Sequence, residues 1–141
     1  MIPIMGNKRN MMYLRLLSAS IVDNLPKSPS DLQPHSMDQE IIAATAQQVI
    51  KDFGEFSFEI VFTGKGTSPY AELFEQVLPV VEHLLQTNTE RFHALLYRID
   101  VNESLIKRYS AETPGMRFPE MVTDLILRRE MMKVLTRRYF R

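Results

Sequence analysis

Glu55–Thr63 reads EFSFEIVFT, with Phe56, Phe58, Ile60 and Phe62 alternating with Ser57, Glu59, Val61 and Thr63. A period of two is the pattern of a half-buried strand. No second strand is evident elsewhere in the folded region, so whether the chain has a sheet at all turns on this run. A lone strand leaves its backbone groups unpaired and is not stable by itself. Three arrangements would satisfy it: pairing with the N-terminal segment, pairing with a second copy, or a helix continuing past Gly54. As an exposed edge it would be a dimerisation element.

Around this run the apolar period is 3.6. Upstream, Ser36 and Gln39 form a capping box, and Ile41, Ile42, Thr45, Ala46, Val49, Ile50 and Phe53 mark one helical face that stops at Gly54. Downstream, Gly64-Lys65-Gly66-Thr67 lacks the spacing and the strand context of a P-loop and reads as a solvated loop. Ser68 then caps a helix with Pro69 in its first turn. Its stripe runs Tyr70, Leu73, Phe74, Val77, Leu78, Val81, Leu84, Leu85 and keeps phase across Pro79, which predicts one bent helix rather than two. Thr87 and Glu90 offer the cap of a third helix carrying Phe92, Leu95, Leu96 and Ile99. In LLYRIDVNE, Leu95–Glu103, the charges Arg98 and Asp100 fall among apolar residues. Spaced i,i+2, they do not share a helix face and make a poor catalytic pair. Asp100 is expected to cap a fourth helix with Glu103, and Arg98 to end the third. The alternative is a buried ion pair from Asp100 to Arg129. After a break at Ser110–Pro119, a last helix runs to the end. The expected fold is mainly α, a compact bundle of about five helices with one short strand at 55–63.

The composition suits one domain. With 141 residues and 45% hydrophobic content, about two-thirds of the unfolded surface can be buried. The absence of any long apolar run predicts no transmembrane segment. Cysteine is absent, which removes disulfides, thiolate metal sites and cysteine nucleophiles, and fits a reducing, cytoplasmic setting. Charge is uneven within a net of zero: residues 38–90 hold nine acids and two bases, residues 91–141 eleven bases and six acids. The two halves are expected to pair across the fold.

Residues 1–36 differ from the rest. Leu25–His35, LPKSPSDLQPH, is rich in proline and serine and reads as a linker. Ahead of it, basic residues precede an apolar run that Arg15 interrupts, with no convincing cleavage site for a signal peptide. The expected organisation is a flexible leader and linker over 1–36, with Met37 a plausible true start, and a helical domain over 37–141.

The last helix carries two apolar stripes. Phe118, Met121, Val122, Leu125, Met132, Leu135 and Tyr139 form the broad one; Leu127, Met131 and Val134 form a narrower one opposite. A helix apolar on two sides is central in its bundle or shared with a partner. Leu127, Met131 and Val134, with Arg128, Arg137, Arg138 and Arg141, make the candidate interaction surface. Arginines beside Tyr139 and Phe140 also suit nucleic-acid contact.

Catalytic signals are absent: there is no G-x-S-x-G elbow, Rossmann fingerprint or EF-hand loop. His83 and His93, with Glu82 and Glu90, flank one turn and could meet in a helical hairpin, but no spacing fixes two ligands on one face. No metal, cofactor or small-molecule ligand is expected.

From about Tyr70 to Arg141, LLYRIDVNE and LILRREMMKVLTRRYF resemble a family of small uncharacterised helical bacterial proteins with no assigned activity. The resemblance implies a helical bundle in a bacterial cytoplasm and supplies no site residue. The expected function is a non-enzymatic protein–protein interaction module, self-associating or binding another protein. The alternative is a nucleic-acid- or ribosome-associated accessory protein using the basic C-terminal helix.

Overall fold

The computed structural model describes residues 39–65 and 68–139. The 1–36 leader and linker, the Ser36 cap, part of the 64–67 loop, Phe140 and Arg141 lie outside these residues. Among the described residues five helices follow one another: α1 Gln39–Gly54, α2 Pro69–Thr87, α3 Thr89–Ile99, α4 Glu103–Glu112 and α5 Phe118–Tyr139. The mainly α bundle expected from the periodicity is what forms.

Helix α5 is the hub. It packs on each of the other four helices, and every residue from Met121 to Arg128 is buried. Its two apolar stripes therefore face different neighbours within one chain, the central arrangement that such a helix permits. The outer helices each contribute one face: Val49 and Phe53 from α1, Val77 and Val81 from α2, Leu95 and Ile99 from α3, Tyr109 from α4, all completely buried. Removing such a side chain, as in Leu95→Ala, costs about 2–5 kcal/mol in a packed core.

Several boundaries moved by a residue or more. Ser68 caps α2 as expected, its hydroxyl accepting from the Ala71 N–H at 3.2 Å, and α2 passes Pro79 as a single helix. The α2–α3 corner uses Asn88 rather than Thr87. Its N–H donates to the Leu84 carbonyl, closing α2, while its side chain accepts from the Arg91 N–H, opening α3. Thr87 instead donates back to the His83 carbonyl.

Two helices end in the same way, and neither uses glycine. After α1 the Phe58 N–H reaches the Phe53 carbonyl and the Ser57 N–H the Gly54 carbonyl. After α3 the Val101 N–H reaches Leu96 and the Asp100 N–H reaches Tyr97. Both are Schellman closures, which place one residue in the left-handed region. Those residues are Ser57 at φ 65° and Asp100 at φ 70°. Helix α1 ends at Gly54 as expected, but the left-handed residue that closes it is Ser57.

The EFSFEIVFT run forms no strand. Among the described residues it has no neighbouring strand to pair with, and it runs as a turn followed by extended chain across α2 and α3. The alternation is nevertheless real in burial: Ile60 is buried and Phe56, Phe58 and Phe62 half-buried, while Ser57, Glu59, Val61 and Thr63 are exposed. Side chains replace the missing ladder. Gln76 Oε1 accepts from the Val61 N–H at 3.0 Å. The Glu72 carboxylate accepts from the Thr63 N–H at 2.6 Å and the Gly64 N–H at 3.1 Å, and these backbone donors hold Glu72 below the usual carboxylate range. Arg91 of α3 donates to the Phe56 carbonyl and lies 5.5 Å from the Phe56 ring centre. With these N–H groups taken, the segment offers a poor edge for another strand.

Candidate functional site

The residues expected to form an interaction surface are mostly inside. Leu127, Met131 and Val134 are 3%, 2% and 4% exposed, so this stripe is core and cannot be the docking face. Arg128 is completely buried. Arg137 donates to Gln48 Oε1 at 2.5 Å and Arg138 lies 3.7 Å from Glu40, both on α1. Arg141 is outside the described residues. The basic half does meet the acidic half: Lys133 and Arg98 reach Asp52, Arg98 reaches Glu55, and Arg117 reaches Glu82.

The LLYRIDVNE corner also differs from its reading. Asp100 closes α3 instead of capping α4; Asn102 is the cap, its side chain accepting from the Leu105 N–H at 2.8 Å, and Glu103 is the first helical residue. The Arg129–Asp100 pair does form, at 2.7 Å, with Arg129 Nε also donating to the Asp100 carbonyl. It is not buried, because the Asp100 side chain is 77% exposed. Such a pair contributes about 0–1 kcal/mol.

Two buried polar networks hold α5 to its neighbours. In the first, Asp124 accepts from the hydroxyls of Tyr70 on α2 and Tyr109 on α4. One turn on, Arg128 Nε donates to the same carboxylate at 3.0 Å, and its guanidinium lies 4.4 Å from the Tyr109 ring centre. Burial and the Asp124 charge push both tyrosine hydroxyls up, so they stay protonated donors. In the second, Asp52 on α1 accepts from Arg98 Nε at 3.1 Å, Gln48 Nε2 at 3.1 Å and Lys133 Nζ at 2.9 Å. Burial alone would raise Asp52, but the neighbouring Glu130 and the donors Lys133 and Gln48 hold it below the usual range. Glu130, completely buried, is pushed up to about 8 by burial, then by the neighbouring Asp52 carboxylate.

The exposed feature of note is a groove of about 660 Å³ between α3 and α4, floored by Phe92, Leu96, Val101 and Ile106 and flanked by Phe118. Tyr97 borders it and is 88% exposed, and Phe118 is 46% exposed. Asp100, Glu103 and Lys107 supply its charged rim. Neither buried network lines it. His93 touches its edge, while His83 packs edge-on against Phe58. Among the described residues, no three His, Asp or Glu side chains are placed to hold a metal ion, and no helix is long and apolar enough to cross a membrane.

No family model, curated protein or solved structure matches the chain. The geometry is therefore the whole ground for a functional reading.

Sequence reasoning passed over Asp52, Asp124, Glu130 and Tyr97. A signal for the acids was available, since Asp52 and Asp124 fall in helical phase with the core residues Val49, Phe53 and Met121. Their buried donors come from other helices, and no spacing connects them. Tyr97 lies off the α3 stripe, which marks it as outward-facing but not as part of a groove.

Proposed function

We propose that this chain is a non-enzymatic helical module that associates with a second copy of itself through the α3–α4 groove. The observation that carries the reading is the exposed Tyr97 beside an unfilled apolar groove on the same face. Under a two-fold axis a residue that contacts j is itself contacted by j, so one protrusion and one adjoining hollow become self-complementary. Each Tyr97 would enter the other copy's groove, the kind of aromatic anchor that dominates interface energetics. The rim supports the same pairing, because acidic Glu103 and basic Lys107 sit together and can exchange partners across the axis. A stable interface buries about 800 Å² per partner, so contact would extend onto exposed Phe118 and Met116.

The nucleic-acid alternative draws no support from the last helix, where Arg128, Arg137 and Arg138 are engaged with this chain's own side chains. A cytoplasmic setting in a bacterium is proposed only from the cysteine-free composition and the resemblance over 70–141.

The test is sedimentation velocity across a wide concentration range, on the native chain and on Tyr97→Glu. A concentration-dependent dimer that Tyr97→Glu returns to monomer, with the helical spectrum unchanged, supports the reading. A native chain that is monomeric at every concentration overturns it.

A further inference from the structure

We propose that Asp52 and Glu130 hold one proton between them in the folded protein, making the α1–α5 contact a pH-responsive joint. Both carboxyls are completely buried, one on each of the two helices. Asp52 is supplied with donors, whereas neither Glu130 oxygen receives a hydrogen bond. The nearest cation to Glu130 is the Lys133 ammonium at 3.3 Å, which also donates to Asp52 and to the Arg98 carbonyl. Two facing carboxylates can only accept. A proton on Glu130 turns it into a donor toward Asp52 and removes a buried charge that no full partner neutralises.

The charge balance points the same way. Facing the pair are Lys133 from α5, Arg98 from α3, Glu55 just beyond α1 on the far side of Arg98, and the uncharged Gln48. Arg137 is engaged with the Gln48 amide and Arg98 with Asp52 and Glu55, so the one cation at Glu130 is Lys133, which Asp52 shares. Neither described histidine belongs to the cluster.

The direction with pH follows. Glu130 is raised from an ordinary 4.5 to about 8, so its contribution to stability is fully present below its unfolded value and is lost as pH rises through about 8. Asp52, held low, acts in the opposite sense and only in acid. Between about pH 5 and 7.5 unfolding therefore releases close to one proton, and the unfolding equilibrium constant should rise by up to about tenfold per pH unit.

The experiment is urea unfolding of the full chain across that window, beside Glu130→Gln, whose amide keeps the size of the protonated acid and can donate. The native chain should lose stability with rising pH, and Glu130→Gln should be nearly flat. Infrared difference spectra between the two at neutral pH should show a protonated carboxyl band belonging to Glu130, a readout on the native fold that does not depend on unfolding. A native chain whose stability is flat or rises over the window, a Glu130→Gln chain with the native slope, or a neutral-pH spectrum without the band would overturn the shared proton.

Discussion

Asp124 and Glu130 are both buried acids on α5, and the helix treats them differently. Asp124 meets two tyrosine hydroxyls from two other helices and an arginine one turn away on its own helix. Three donors, one of them a cation, converge on its two oxygens. Glu130 meets another acid, Asp52, and a lysine that Asp52 already engages. Burial is the same in both places. The partner sets alone distinguish the two acids, because burial penalises charge and donors must offset that penalty.

The largest break in this contrast is Arg128→Ala. It strands Asp124 as a buried carboxylate without its cation, and urea unfolding should show a loss of about 3–5 kcal/mol. Replacing Asp124 as well by an apolar residue should not restore the loss, because the buried Tyr70 and Tyr109 hydroxyls then lose their acceptor. Next comes Tyr109→Phe, which removes one hydroxyl from a charged acceptor and should cost about 1.5–3 kcal/mol by the same measurement. On the other side, Arg98→Met removes a donor from Asp52, but Arg98 is 37% exposed and Lys133 and Gln48 remain. Calorimetry should register about 1 kcal/mol or less. The smallest change lies away from both networks, at the end of α1. Ser57→Gly relieves a left-handed serine and should raise stability by about 0.5–1 kcal/mol, visible as a higher urea midpoint with unchanged slope. If Arg98→Met proved as damaging as Arg128→Ala, the reading that Lys133 and Gln48 suffice to hold the Asp52 carboxylate would fail.

How far the residues could be read in advance depends on the range of the interaction. The helices of the bundle were legible because the 3.6 period of their apolar residues is local, as at Tyr70–Leu85. The side chain that caps α3 was misplaced by one position, at Thr87 instead of Asn88, since either can accept from an early N–H and only the chain's exit from α2 selects one. The alternation at Glu55–Thr63 does encode one face in and one face out. It was a poor guide to pairing, because the donors' partners, Glu72 and Gln76, come from the next helix and leave no trace in the run itself. The second stripe of α5 posed a choice between centre and interface that the period of its residues leaves open. Arg128 went inward because Asp124, four residues before it, was already waiting in the core.

The sequence by itself determined the class of fold, the helical segments and the matching of an acidic half to a basic one. Each rests on the period of nearby residues or on composition. Tertiary structure alone decided that α5 is central, that Asp52 and Glu130 face one another, and that Tyr97 borders an open groove. Those outcomes join side chains from different helices, and the free energy of bringing them together depends on distances that no local pattern encodes.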